Sequence, residues 1–187
     1  MKKIVFISGA SGAGKTTLCE VLTTRISPAY RYEIAGIDMD EVYKFVDRRF
    51  SSRYGEQLYK LARQNTGSLT NNFLQNGIHT VFIFGIEVYN KQYVREVLAC
   101  VEMDAQTQVY HFTLTPPKSK IIERLMKRQN KVPHWFHMHL LERQHYYDAK
   151  WTVPIDNSSL TPPETIDIIL QKVIKTKGTD AFFIKPE

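Results

Sequence analysis

Long hydrophobic runs are missing from this chain. No apolar stretch approaches the roughly 18 residues of a membrane-spanning helix. The early run Lys3–Ser8 is too short for a signal peptide and passes straight into a glycine-rich loop. Cysteine is nearly absent: Cys19 and Cys100 stand far apart in unrelated contexts. That excludes a disulfide framework and fits a reduced, cytoplasmic compartment. Internal repeats are lacking too. "LTPP" occurs twice, but its flanks do not match and only helix-start chemistry is shared.

What is present is a chain of 187 residues, 43% hydrophobic, enough for one domain with a buried core. The formal charge is +6, spread over "VDRRFSSR", "IIERLMKRQNK" and "KVIKTKG" rather than gathered in one block. A basic surplus suits a polyanionic ligand, whether ATP or nucleic acid, although the C-terminal lysines read equally as a solvated helix face.

Apolar strands alternate with helical stretches. Lys3–Ser8, Tyr32–Ile37, His79–Gly85, Gln108–Thr115 and Trp151–Asp156 read as five strands. Leu18, Val21, Leu22 and Ile26 fall at helical spacing, and Ser27-Pro28 stops that helix. A polar helical region ends at Asn76-Gly77, with expected breaks near Gly55 and Gly67. Lys91–Cys100 is another helix. A further one is expected with Thr115 as N-cap and Pro116 at its first position. Thr161, Pro162 and Glu164 form a capping-box start to the last helix. The alternation predicts an α/β fold, three-layer α/β/α, with a five-stranded, mainly parallel sheet.

Gly9, Ala10, Ser11, Gly12, Ala13, Gly14, Lys15 and Thr16 satisfy G-x-x-x-x-G-K-[ST], followed by Thr17. Glycines let the backbone turn its N–H groups inward around phosphate oxygens. Lys15 adds charge at the β/γ phosphates, Thr16 supplies a hydroxyl to Mg²⁺, and the following helix aims its N-terminus at the anion. A phosphate loop alone does not separate kinase, motor, GTPase or switch. No N-K-x-D sequence for guanine is present, and the chain is short for an AAA-type motor. A Walker B aspartate is lacking: the third strand ends "FIFGIE", with Gly85 where an acid would stand and Glu87 two residues on.

"GASGAGKTTL" resembles the opening of the gluconate kinase, shikimate kinase and chloramphenicol phosphotransferase group of P-loop kinases, whose fold is also that of nucleoside monophosphate kinases. The group commonly carries an acid or a D-x-D pair after the second strand, matched here by Asp38 and Asp40. The resemblance implies that Asp38 orients or deprotonates the acceptor hydroxyl and helps hold the metal's water shell, with Asp40 sharing the task or merely capping the next helix. Arg124 and Arg128 match an R-x-x-x-R in the helix leading to the lid; in relatives the first stacks on adenine and the second reaches the phosphates. Leu140, Leu141 and Gln144 keep a lid spacing of gluconate kinases. Arg143 becomes a candidate lid arginine closing on the γ-phosphate, with the lid at 129–147. Asp156–Ser159 falls where such kinases make the adenine-side loop through backbone contacts. Tyr93 and Arg95 resemble loosely a tyrosine–arginine helix of gluconate kinases.

The departures leave the acceptor open. No gluconate-binding segment is recognisable in "KFVDRRFSSRYGEQLY", and the shikimate-type triple glycine is absent. Arg48, Arg49 and Arg53 stand where an acceptor pocket would be, as ligands of an anionic acceptor or as a solvated helix face. His134, His137, His139 and His145 match no closed zinc spacing. Aromatics beside them could stack bases or pack within the lid. The expectation is one P-loop kinase domain over 1–187, monomer or homodimer, using ATP and Mg²⁺ to phosphorylate a small molecule. A nucleoside or nucleotide kinase, a polynucleotide 5′-hydroxyl kinase and a non-catalytic ATP-binding module stay as alternatives, nucleic acid being the less favoured partner.

Overall fold

The computed structural model describes residues 1–26, 33–46, 48–134, 136 and 151–175. Five strands form one sheet: β1 (Lys3–Gly9), β2 (Ile34–Asp38), β3 (Thr80–Phe84), β4 (Gln108–Leu114) and β5 (Val153–Ile155). Their order is β2-β3-β1-β4-β5, and every pairing is parallel. The connecting helices are α1 (Lys15–Val21), α2 (Met39–Tyr43), α3 (Arg48–Gln75), α4 (Lys91–Leu98), α5 (Lys118–Gln129) and α6 (Pro162–Lys175). A π-helical turn, Leu22–Ile26, extends α1. No described helix is long and apolar enough to cross a membrane.

Alternation along β1 explains the layers. Val5 and Ile7 pack with Leu18 of α1, Leu22 of the π-helical turn after it, and Ile166, Ile169 and Val173 of α6 on one face. Ile4 and Phe6 pack with Leu74 of α3 and Val94 and Val97 of α4 on the other. A strand covered on both faces has to be apolar at every position, and this is why Lys3–Ser8 reads as an unbroken run. β1 is central. The chain leaves it toward β2 on one side while β4 leads to β5 on the other, so a crevice opens at its C-terminal end.

Local chemistry shifts several boundaries from the sequence expectation. α5 starts at Lys118, with Pro117 in an extended conformation before it (φ −55, ψ 150), and not at Pro116. Thr115 still belongs to the sheet edge, since its N–H donates to Ile155 O at 2.9 Å. The α region is disfavoured for a residue preceding proline, and here Pro117 itself stays extended, so this helix opens only after both prolines. The break at Gly55 is present, with non-helical backbone (φ 15, ψ −96), but α3 runs unbroken through Gly67. Glycine there serves close approach: a Cβ would stand 2.2 Å from Val97 O of α4. The capping box of α6 is as expected, with Thr161 N donating to Glu164 Oε2 at 2.8 Å and Glu164 N to Thr161 Oγ1 at 3.4 Å.

His111 of β4 is an ionisable group inside this core. Its ring stacks on Trp151 (centroids 4.4 Å apart, planes 7° apart), and neither ring nitrogen has a hydrogen-bond partner among the described residues. Burial pushes its pKa from 6.5 down to about 3, with the Val88 backbone opposing. The unfolded chain therefore binds the proton first as pH falls. Stability is complete above pH 6.5 and declines between there and about pH 3, by up to about 1.4 kcal/mol per pH unit. Urea midpoints at pH 7 and pH 5 should show a smaller acid loss in His111→Phe than in wild type. Equal losses would remove His111 as the cause.

Candidate active site

The turn from β1 to α1 carries the glycine loop. Gly9, Gly12 and Gly14 all take positive φ (154, 84 and 107), which side chains with a Cβ rarely adopt. Gly12 is also crowded, since a Cβ would meet Ile121 and Leu125 of α5 at 3.0 Å. Ala10 and Ala13 are buried beneath the loop, and Ala13 N donates to Ala10 O at 3.0 Å. Lys15 is 6% exposed and folds back into the loop, its Nζ donating to Gly9 O at 3.0 Å and Ala10 O at 3.2 Å. Thr16 and Thr17 open α1 toward solvent.

Above the loop lies a cavity of about 520 Å³. Ser11, Lys15 and Thr16 form its floor, Arg124, Lys127 and Arg128 of α5 one wall, and Asn157 and Pro162 the other. Arg124 ties these parts together by donating to Ala13 O at 3.1 Å and Asn157 O at 2.8 Å. Asn157, only 4% exposed, donates from its side chain to Ala13 O at 3.0 Å. The sequence points to this loop through its backbone; the Asn157 side chain is an addition that only the tertiary structure supplies.

The two aspartates after β2 differ in surroundings. Asp38, not Asp40, is the helix cap: its Oδ1 accepts from Asp40 N at 3.0 Å. Its Oδ2 is buried without a hydrogen-bond partner among the described residues. Burial raises the Asp38 pKa and Asp40 adds to the rise, while the Thr16 hydroxyl, the Asp40 amide and Lys15 oppose it. Asp40 sits in the first turn of α2, and its Oδ1 accepts from Ile86 N at 3.2 Å. It thereby brings a carboxylate to the end of β3, where the sequence has Gly85 in place of an acid. Gly85 permits this approach, because a Cβ there would stand 3.1 Å from Met39 Cβ.

Asp40 also lines a second cavity of about 360 Å³, formed by α2, α3 and the β3 end with Tyr43, Lys44, Leu58, Tyr59 and Glu87. One carboxylate thus belongs to both hollows. Of the other expected site residues, Arg143 and the side chains of Arg48, Arg49 and Arg53 lie outside the described residues, as does most of the proposed lid.

No family model matches the chain, and no curated protein matches it either. Solved structures do. The tunicamycin resistance protein of Deinococcus radiodurans superposes with a TM-score of 0.64 at 17% identity, covering 94% of this chain and 98% of its own. A sugar kinase from a Janibacter species gives 0.62 at 17% identity, with 92% and 95% covered. Shikimate kinase from Acinetobacter baumannii, in complex with shikimate, gives 0.58 at 19% identity, with 95% and 96% covered. The fold is that of the P-loop kinases. Identities this low carry the architecture alone, so the chemistry has to come from the residues of this chain.

A buried charge cluster lies between α3 and α4. Arg63 of α3 is fully buried and meets three carboxylates: Glu96 at 2.8 Å, Glu87 at 3.3 Å, and Glu56. Its guanidinium also lies 4.0 Å over the Tyr93 ring. Burial alone would lower its pKa, but Glu56 and Glu96 outweigh burial and raise it. Tyr93, read from sequence beside Arg95 as a loose kinase likeness, serves as the platform for this cation. Glu56 and Arg63 are seven residues apart, two helical turns, which was the only sequence signal available.

Proposed function

We propose that the protein transfers the γ-phosphate of ATP to a hydroxyl group of a small molecule. The observation that carries this reading is Asp40, a carboxylate shared between the phosphate-loop cavity and the second cavity. In this reading ATP occupies the larger cavity and the acceptor the smaller. Lys15 and the loop amides hold the β and γ phosphates, and Arg128 balances charge developing on the transferred group. Arg124, with Asn157, borders the nucleoside side. The lid arginine is Arg143.

The residues fit Mg²⁺. Asp38 offers a buried oxygen without a hydrogen-bond partner among the described residues, and its carboxyl lies close enough to the Thr16 hydroxyl to be stabilised by it. Thr16 would hold the ion and Asp38 its water shell; once bound, the ion neutralises phosphate charge. This leaves the acceptor to Asp40. The acceptor oxygen forms a bond to the γ phosphorus, and the bond from that phosphorus to the β–γ bridging oxygen breaks. ADP departs with the electron pair, and the hydroxyl proton passes to Asp40 and then to water.

The test separates the two aspartates. Asp40→Asn should lower kcat by about a hundredfold or more, the range of general acid–base contributions, with ATP affinity kept. Asp38→Asn should raise the Mg²⁺ concentration needed for half-maximal rate. Unchanged turnover in both variants would refute the assignment.

A further inference from the structure

We infer that the cavity beyond Asp40 takes an acceptor built on a flat, apolar ring with the reacting hydroxyl on a short side chain, and not a polyol or a sugar acid. The inference rests on the kinase reading of the adjoining cavity and names the substrate class of that same site.

Tyr43 of α2 and Tyr59 of α3 both line this cavity and stack on each other, with ring centroids 4.6 Å apart and planes 7° apart, so an aromatic pair forms part of its wall. Met39, Leu58, Ala62 and Ile86 make most of the remainder apolar. A third ring against such a pair gains about 0.5–1.5 kcal/mol beyond its buried area. The volume, about 360 Å³, lies in the range of small-molecule pockets.

Polar lining is sparse and mostly engaged. Lys44 pairs with Glu41, and Glu87 pairs with Arg63 at 3.3 Å. Asp40 keeps one oxygen on Ile86 N, and its second makes no hydrogen bond among the described residues. With the Tyr43 and Tyr59 hydroxyls this makes a few polar positions, fewer than a polyhydroxylated sugar acid presents. Each further hydroxyl buried without a partner costs about 1–3 kcal/mol. A substrate carboxylate would also face Asp40 and Glu87, and among the described lining residues the one cation is Lys44, already paired.

Two separate readouts decide the matter. Binding is measured by ligand-observed NMR on the full chain without nucleotide, using 2-phenylethanol as the flat-ring alcohol and gluconate as the sugar acid. ADP release from ATP and Mg²⁺ is then measured with each. We expect 2-phenylethanol to bind and gluconate not to. Tyr59→Leu and Tyr43→Leu should each weaken 2-phenylethanol about fivefold, and Tyr59→Phe, which keeps the stack, should weaken it less; thermal melts of all three verify folding. Gluconate binding more tightly, 2-phenylethanol binding indifferently to the leucine variants, or binding of neither would overturn the inference. Ring binding without ADP release from either acceptor counts against the kinase reading and leaves the pocket chemistry standing. ADP release with gluconate alone does the reverse.

Discussion

Lys15→Met should reduce phosphate transfer by about a hundredfold to a thousandfold, the effect of deleting one donor from a preorganised anion site. The side chain is buried in the loop, and its ammonium is held between Gly9 O and Ala10 O at 3.0 and 3.2 Å. A cation so placed is oriented before any phosphate arrives and needs little reorganisation to meet one. Methionine keeps the length and apolar stem but donates nothing. It also removes the ammonium from Gly9 O and Ala10 O, of which Ala10 O still accepts from Ala13 N, so a stability loss of about 1 kcal/mol should accompany the rate loss. Transfer rates in saturating ATP, beside a urea titration, separate the effects. Turnover near wild type would contradict the role given to the loop.

Arg63→Met should destabilise the fold by about 3–5 kcal/mol, the cost of removing one partner from a buried charge cluster. The three carboxylates are not equivalent. Glu56 is largely solvent-exposed and can rehydrate, while the Glu87 side chain is 9% exposed and cannot. Most of the loss should therefore be assigned to Glu87, and Arg63→Met with Glu87→Gln should recover part of it. Urea unfolding of both singles and the double gives the coupling energy. A double variant no more stable than Arg63→Met would remove Glu87 as the stranded charge. Because Glu87 also lines the second cavity, this cluster couples the packing of α3 and α4 to the shape of that wall.

The architecture was legible because a two-sided parallel sheet demands continuous apolar strands, and Lys3–Ser8 and His79–Gly85 show them. The loop was legible because three glycines and Lys15 must be contiguous in sequence to make a phosphate nest. Other features depend on residues distant in the chain. Asp40 gains its place from Ile86, and Asn157 from Ala13. Arg63 gathers Glu87 and Glu96 from beyond β3. Residue spacing along α2 or α3 carries no trace of these partners. The start of α5 is less legible, because a Pro-Pro pair can open a helix, as Pro162-Pro163 does in α6, or stand extended before one, as at α5.

Transfer to an organic hydroxyl differs from nucleotide binding alone and from hydrolysis in its products, which phosphorus-31 NMR of ATP, Mg²⁺, the full chain and an alcohol acceptor resolves. ADP and a new phosphate monoester resonance should rise in equal amounts, with both strongly reduced in Asp40→Asn. ADP accompanied only by inorganic phosphate, or ATP bound and unchanged with every acceptor tried, would contradict transfer.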